Sequence, residues 1–277
     1  MTILDGKKTA AKIRAELKER VSRLGFQPKL AVVLVGNDPA SAIYVRNKRK
    51  ACEETGIGSV LVTLPETATQ EEAERAVDAL CKDNAIDSIL VQLPLPAGLN
   101  EERILGIIPP EKDADGFCYE NAGRVALGER GITACTPAGV MELLARAGIC
   151  VAGKRTVVLG RSKIVGRPMA ALLLNADATV TICHSKTKNL TEECLRADII
   201  IVAIGKPNFL TADMVSEGAI VVDVGINRDA DGKICGDVDF EAVKEKAAYL
   251  TPVPGGVGPM TIAMLLRNTV EAAERKK

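Results

Sequence analysis

The chain has no tryptophan, four phenylalanines, three tyrosines and one histidine, His184, in 277 residues. A single histidine removes His-cluster metal sites and makes any Ser-His-Asp triad depend on that one residue, so proton transfer falls to other groups. With aromatics at 3% against 47% hydrophobic residues, the core must be packed from Val, Ile, Leu and Ala, as in buried parallel strands covered by helices. Net charge is lacking too: 36 Lys+Arg balance 36 Asp+Glu, leaving no global field to draw in nucleic acid or an anionic membrane. Any anion site must be local. The eight cysteines form no CxxC pair and mostly lie in apolar or helical patterns, so they read as reduced core residues and not as a metal site or disulfide framework. Apolar runs such as "DIIIVAIG" are strand-length, too short for a membrane span. The opening "MTILDGKKTAAKIRAELKER" has no apolar segment followed by a cleavage site, which argues against a targeting peptide. The expectation is an untargeted cytoplasmic protein with no metal, no nucleic-acid partner and no membrane span.

What is present is an alternation of strand and helix patterns, which implies an α/β fold with parallel sheets. "KLAVVLVG", "GSVLVTLP" and "IDSILVQLPLP" read as strands of a first series, with a helix bearing Tyr44 and Lys48 after the first of them. The stretch from Pro109 to Cys135 reads as an irregular segment and hairpin. A second series, "RTVVLG", "ATVTIC", "DIIIVAIG" and "AIVVDVGI", follows, with Asp231-Gly232 as the tip of a small hairpin,. A Gly-rich loop then leads into a terminal helix. We therefore expect two parallel-sheet domains around a cleft: residues 1–137 completed by a helix over 254–277, and residues 138–253 as a Rossmann-like domain,.

In the second series, "VVLGRSKIVGRPMA" runs strand, Gly160, loop, Gly166, helix. That is the layout of a dinucleotide turn, in which the helix start offers free N–H groups to a pyrophosphate. It departs from GxGxxG, because Ser162 replaces the second glycine and the spacing is longer. The next strand ends in "CHSKT", where an NAD site usually carries an acid on the ribose. His184, Ser185 and Lys186 stand there instead, with Arg161 in the preceding loop, so a 2′-phosphate and hence NADP is favoured.

In the first series, Tyr44 and Lys48 lie four residues apart, on one helix face with Cβ atoms about 5–6 Å apart. Taken alone, such a pair is ordinarily a solvated charged face. It also has the spacing of the short-chain dehydrogenase Tyr/Lys pair, but there the glycine loop precedes the pair, whereas here it follows at Gly160. That reading is rejected on motif order.

Four stretches, "GNDPASAIYVRNKRKACEETGI", "VQLPLP", "PEKDADGF" and "TPVPGGVGPMTIAML", together with "GRSKIVGRP" and "CHSKT" in the same order, resemble the bifunctional methylenetetrahydrofolate dehydrogenase/cyclohydrolase family over nearly the whole chain. The resemblance implies oxidation of 5,10-methylenetetrahydrofolate by NADP+, then hydrolysis of the methenyl product to 10-formyltetrahydrofolate. It implies Tyr44 as a stacking surface, Lys48 as the proton handler, Gln92 as its neutral partner and Asp115 as an acceptor for the pterin, with Gly255 and Gly256 against the folate. Asp113 is the nearer candidate for closing the local turn. For the cofactor it implies Gly160, Arg161, Ser162, Ser185 and Ile226, and it implies a homodimer through the cofactor domain. The alternatives are a shikimate-dehydrogenase-like oxidoreductase, which leaves "VQLPLP" and "PVPGGVGP" unexplained, and a catalytically silent NADP-binding module.

Overall fold

The computed structural model describes residues 1–229 and 231–276. In chain order, β1 (Thr2–Ile3) and α1 (Gly6–Ser22) precede β2 (Lys29–Val35), α2 (Pro39–Thr55), β3 (Gly58–Leu64), α3 (Gln70–Lys82) and β4 (Ser88–Val91). Then come α4 (Glu101–Leu105), α5 (Tyr119–Ala126) and α6 (Cys135–Arg146). The second series is β5 (Arg155–Leu159), α7 (Gly166–Asn175), β6 (Thr179–Cys183), α8 (Leu190–Leu195), β7 (Ile199–Val202) and β8 (Ile220–Asp223). A hairpin of β9 (Asn227–Arg228) and β10 (Ile234–Cys235), then α9 (Phe240–Val243), β11 (Tyr249–Leu250) and α10 (Val257–Glu274) complete it. Among the described residues no helix is long and apolar enough to cross a membrane.

Contacts divide the chain into two units. One comprises Ala11–Arg124, Arg130–Thr133 and the chain from Ile262. Its parallel sheet has the order β3-β2-β4. Central β2 is buried from Leu30 to Val35, so its apolar run needs cover on both faces. On one, α3 contributes Ala73, Val77 and Leu80, spaced for a single helical stripe, to a core with Val33, Ile89 and Val91,. Thr69 and Glu72 form a capping box at the start of α3,. At its other end the buried Lys112 ammonium donates to the carbonyls of Cys81 and Asp83, each at 2.8 Å. α2 is fixed at both ends as well: the Asp38 carboxylate accepts the Ser41 N–H at 2.7 Å, Pro39 occupies the first turn, and Gly56 closes the helix in the left-handed region,.

The other unit comprises Met1–Ala10, Val125–Glu129 and Ala134–Thr261. Its six strands are ordered β1-β11-β8-β7-β5-β6, every pair parallel. Val157, Leu159, Ile200, Val202 and Val221 form the centre of its core. β5 is followed in the chain by β6 on one side and by β7 on the other, which makes the carboxyl ends of β5 and β7 a topological switch point where ligands bind,. β6 is an edge strand, with Thr179, Thr181 and Ile182 exposed.

Three expectations are altered. Residues 1–10 group with the six-stranded unit and not with 11–124, because Thr2 and Ile3 pair with Tyr249 and Leu250. The boundary also falls at Ala134, and α10 is divided after Thr261. The Pro109–Cys135 stretch contains α5 in place of a hairpin; Cys118, Asn121 and Val125 are buried at helical spacing, a stripe that Gly123 and the polar residues around it hide. The expected hairpin about Asp231-Gly232 is present, with β9 and β10 antiparallel. Ala230 and Lys277, which fall within the expected hairpin and terminal helix, lie outside the described residues.

Candidate functional site

In the three-stranded unit, Lys48 Nζ donates to Gln92 Oε1 at 3.0 Å. Gln92 follows β4 and is 8% exposed, whereas Lys48 is half-buried. The Gln92 Nε2 donates to its neighbour's carbonyl, Leu93 O, at 2.7 Å. That second bond fixes which way the amide faces, since the flipped amide would set NH2 against an ammonium. Tyr44, one helical turn before Lys48, is 41% exposed and presents an open aromatic face. A flat ring to stack on, a nitrogen base and a buried neutral acceptor thus share the carboxyl edge of β4 and the face of α2.

The loop carrying Asp115 is organised by its neighbour. Asp113 is buried and accepts from Gly116 N at 2.9 Å, Cys118 N at 2.8 Å and Asn121 Nδ2 at 3.2 Å. Asn268 on α10 donates to Ala114 O at 3.0 Å. Asp113 therefore closes the turn, and Asp115 is left half-buried on its rim.

In the six-stranded unit a cavity of about 540 Å³ lies at the carboxyl ends of β5, β6 and β7. Gly160, Arg161 and Ser162 line it from β5, His184, Ser185 and Thr187 from β6, and Ile204, Lys206 and Phe209 from β7. Gly160 has φ +113, and a Cβ there would lie 2.2 Å from Ala203 O, so only glycine fits the turn. Ser162 Oγ accepts from Val165 N at 3.1 Å and Gly166 N at 3.3 Å. This modifies the expectation of free donors at the start of α7: the hydroxyl that stands in place of a glycine folds back and occupies two of them. His184 is held by its own turn, with Nδ1 accepting from Lys186 N at 3.1 Å.

Behind the β7 wall sit two buried carboxylates. Asp237 is 0% exposed and accepts from Ile204 N at 2.7 Å, Gly205 N at 3.0 Å, Lys206 N at 2.8 Å and Asn227 Nδ2 at 2.8 Å. Asp223 accepts from Gly225 N, Asp237 N and Val238 N at 2.9–3.0 Å. Burial pushes the Asp223 carboxyl up to about 6 against the pull of those three donors, and the charge of Asp237 adds to the rise,. Together they tie the loop after β7 to the loop after β8. Ile226, in the latter, is not part of the cavity wall; it is half-exposed, and its Cδ1 lies 3.9 Å from where a Cβ on Gly258 would be. It therefore belongs with the glycine loop before α10. In that loop Gly255 has φ +108 and its carbonyl accepts from Lys7 N at 2.9 Å, while a Cβ on Gly256 would meet Pro252 O at 2.6 Å.

Two family models match in succession. Residues 4–115 match the tetrahydrofolate dehydrogenase/cyclohydrolase catalytic domain, and residues 134–277 match the NAD(P)-binding domain of the same family. The chain belongs to the tetrahydrofolate dehydrogenase/cyclohydrolase family. The bifunctional protein FolD of Campylobacter curvus is 59% identical over 100% of this chain and 97% of that relative. The crystal structure of the bifunctional FolD methylenetetrahydrofolate dehydrogenase/cyclohydrolase from Campylobacter jejuni superposes with a TM-score of 0.98 at 54% identity, covering 100% of both chains. The Trypanosoma brucei enzyme, complexed with NADP cofactor and inhibitor, gives 0.95 at 41% identity over 100% of this chain and 98% of that one. A shikimate dehydrogenase from Aquifex aeolicus reaches only 0.55 at 15% identity, a likeness of fold alone.

The family's nucleotide chemistry fits the cavity. Its walls combine a close-approach glycine, hydroxyls and two cations with apolar Leu159, Leu190 and Phe209, and contain no Asp or Glu. Sequence reasoning passed over Lys206 and Phe209, which follow β7 in "AIGKPNF", and the Asp223–Asp237 pair. A glycine at a strand end was the available signal for the first two. Little local announces the carboxylates: apart from Gly225, two residues from Asp223, their donors lie 10 to 33 residues away in the chain.

Proposed function

We propose that this family member oxidises 5,10-methylenetetrahydrofolate to the 5,10-methenyl form with NADP+ and hydrolyses that product to 10-formyltetrahydrofolate. The observation that carries the reading is the 3.0 Å bond between Lys48 and Gln92 one helical turn from the exposed ring of Tyr44. Tyr44 offers the aminobenzoyl ring a stacking face. The Asp115 carboxylate suits the donor edge of the pterin, and the glycine loop at Gly255 and Gly256 lets the backbone approach the folate closely.

Bound NADP+ supplies the hydride acceptor. The chain's own work lies in the hydrolytic step. Water adds to the methenyl carbon and loses a proton to the Lys48 amine. The carbon–N5 bond then breaks, the formyl group stays on N10, and the Lys48 ammonium returns a proton to N5. The hydroxyl proton leaves to solvent as the formyl C=O forms, so one proton is released overall. Gln92 holds the lysine while remaining neutral, so proton loss and return at Nζ leave no unpaired charge on its partner. The roles of Gly160, Arg161, Ser162 and Ser185 fall on the cofactor's phosphates and ribose, and that of Ile226 beside the glycine loop.

Lys48→Met should abolish methenyl hydrolysis while NADPH binding, followed by fluorescence titration, survives; undiminished hydrolysis would remove Lys48 from the mechanism. We also read the edge strand β6, with Ile182 exposed and Leu174 and Leu195 exposed on its flanking helices, as the face of a homodimer. Eight cysteines without a disulfide suit a reducing, cytoplasmic setting,.

A further inference from the structure

We infer that Lys206 is a specificity-determining residue of the nucleotide cavity: a second cation that favours a nucleotide bearing an extra phosphate on its adenosine half. The inference deepens the NADP reading above and rests on it. The cavity contains two cations, Arg161 and Lys206, and no acidic side chain, in a chain whose charges balance as a whole. A site walled in this way carries a positive potential that only an anionic occupant relieves.

The Lys206 side chain is exposed, but it springs from a fixed backbone. Its backbone N–H is held by Asp237 at 2.8 Å, and those of Ile204 and Gly205 are bound by the same carboxylate. Its Nζ lies 5.7 Å from the centroid of the Phe209 ring, itself part of the wall, a cation–π distance. The charge of Asp237 is turned onto four N–H donors behind the loop and is buried away from the cavity. The ammonium is thus presented on the wall formed after β7, while Arg161 and Ser185 stand on the walls formed after β5 and β6. A 2′-phosphate carries about 1.5–2 negative charges, so a cation several ångströms away on the cavity wall changes affinity on the order of tenfold.

The test compares two ligands that differ only at the 2′ position, adenosine 5′-monophosphate and adenosine 2′,5′-bisphosphate, by isothermal titration calorimetry on the full chain. Wild type should bind the bisphosphate more tightly. Lys206→Gln should weaken the bisphosphate about tenfold and the monophosphate about twofold or less, and Lys206→Arg should recover most of the loss. Unfolding midpoints within a degree or so of wild type would show that the variants are folded. A bisphosphate affinity unchanged in Lys206→Gln, or an equal loss for both ligands, overturns the role of Lys206 and leaves the NADP reading standing. A wild type that does not prefer the bisphosphate overturns the NADP reading itself.

Discussion

Replacing Gln92 by leucine keeps the side chain's approximate volume and removes both the acceptor that faces Lys48 and the donor to Leu93 O. In the folded chain that acceptor is Oε1, 3.0 Å from Lys48 Nζ, on a residue 8% exposed. A hydrogen bond to a charged group contributes about 1.5–3 kcal/mol. If the bond holds the lysine over the reacting carbon, its loss slows hydrolysis by roughly tenfold to a hundredfold, at about 1.36 kcal/mol per factor of ten. The assay follows disappearance of the methenyl chromophore, with NADPH affinity measured in parallel. We expect kcat for hydrolysis to fall within that range, with the nucleotide dissociation constant unchanged. Gln92→Glu supplies a second arm: a carboxylate at the same distance holds Lys48 as an ammonium and should slow the step that needs its free amine. A Gln92→Leu variant within about threefold of wild type would refute the idea that this bond positions the base, since about threefold corresponds to less than half of the smallest expected energy.

Gly160→Ala places a methyl 2.2 Å from Ala203 O at φ +113, and should lower both nucleotide affinity and the unfolding midpoint; calorimetry and thermal melts read the two. Because folding raises the Asp223 carboxyl from 3.8 to about 6, its contribution to stability is fully present below the unfolded value and is lost as pH rises through about 6. Wild type should accordingly lose stability relative to Asp223→Asn between about pH 4 and pH 6 and run parallel to it above, as urea midpoints across that range would show; a parallel course throughout contradicts the assignment. Lys112→Met removes a 6% exposed ammonium from the carbonyls of Cys81 and Asp83 and should cost about 3 kcal/mol of unfolding free energy in urea titrations.

The candidate site is most legible where chemistry and chain position coincide. Tyr44 and Lys48 are joined by helix periodicity alone, and the apolar strand before Gln92 sets that residue at a sheet edge whatever the rest of the fold does. Gly160 was readable for the same local reason. What escaped notice depends on pairs remote in the chain. The donors to Asp237 are 31–33 residues away at Ile204, Gly205 and Lys206, and a carboxylate that binds main-chain N–H groups leaves no trace in its partners' identities. Two-residue β1 is too short to show alternation, and α5 hid because its buried stripe includes Asn121, whose amide serves Pro110 O and Asp113, and so looks polar in sequence. Ser162 was read as a substituted glycine, but its hydroxyl acts on the helix start.

The pairing of β1 with β11 bears on how the chain is made. Thr2 and Ile3 are made long before their partners, Tyr249 and Leu250. The sheet edge at β8 stays open until β11 has been made, while the three-stranded sheet of β2, β3 and β4 is complete before residue 100. Folding of the six-stranded unit is therefore a late, long-range closure. A nascent chain stalled before Tyr249 would carry Thr2 and Ile3 without their strand partners.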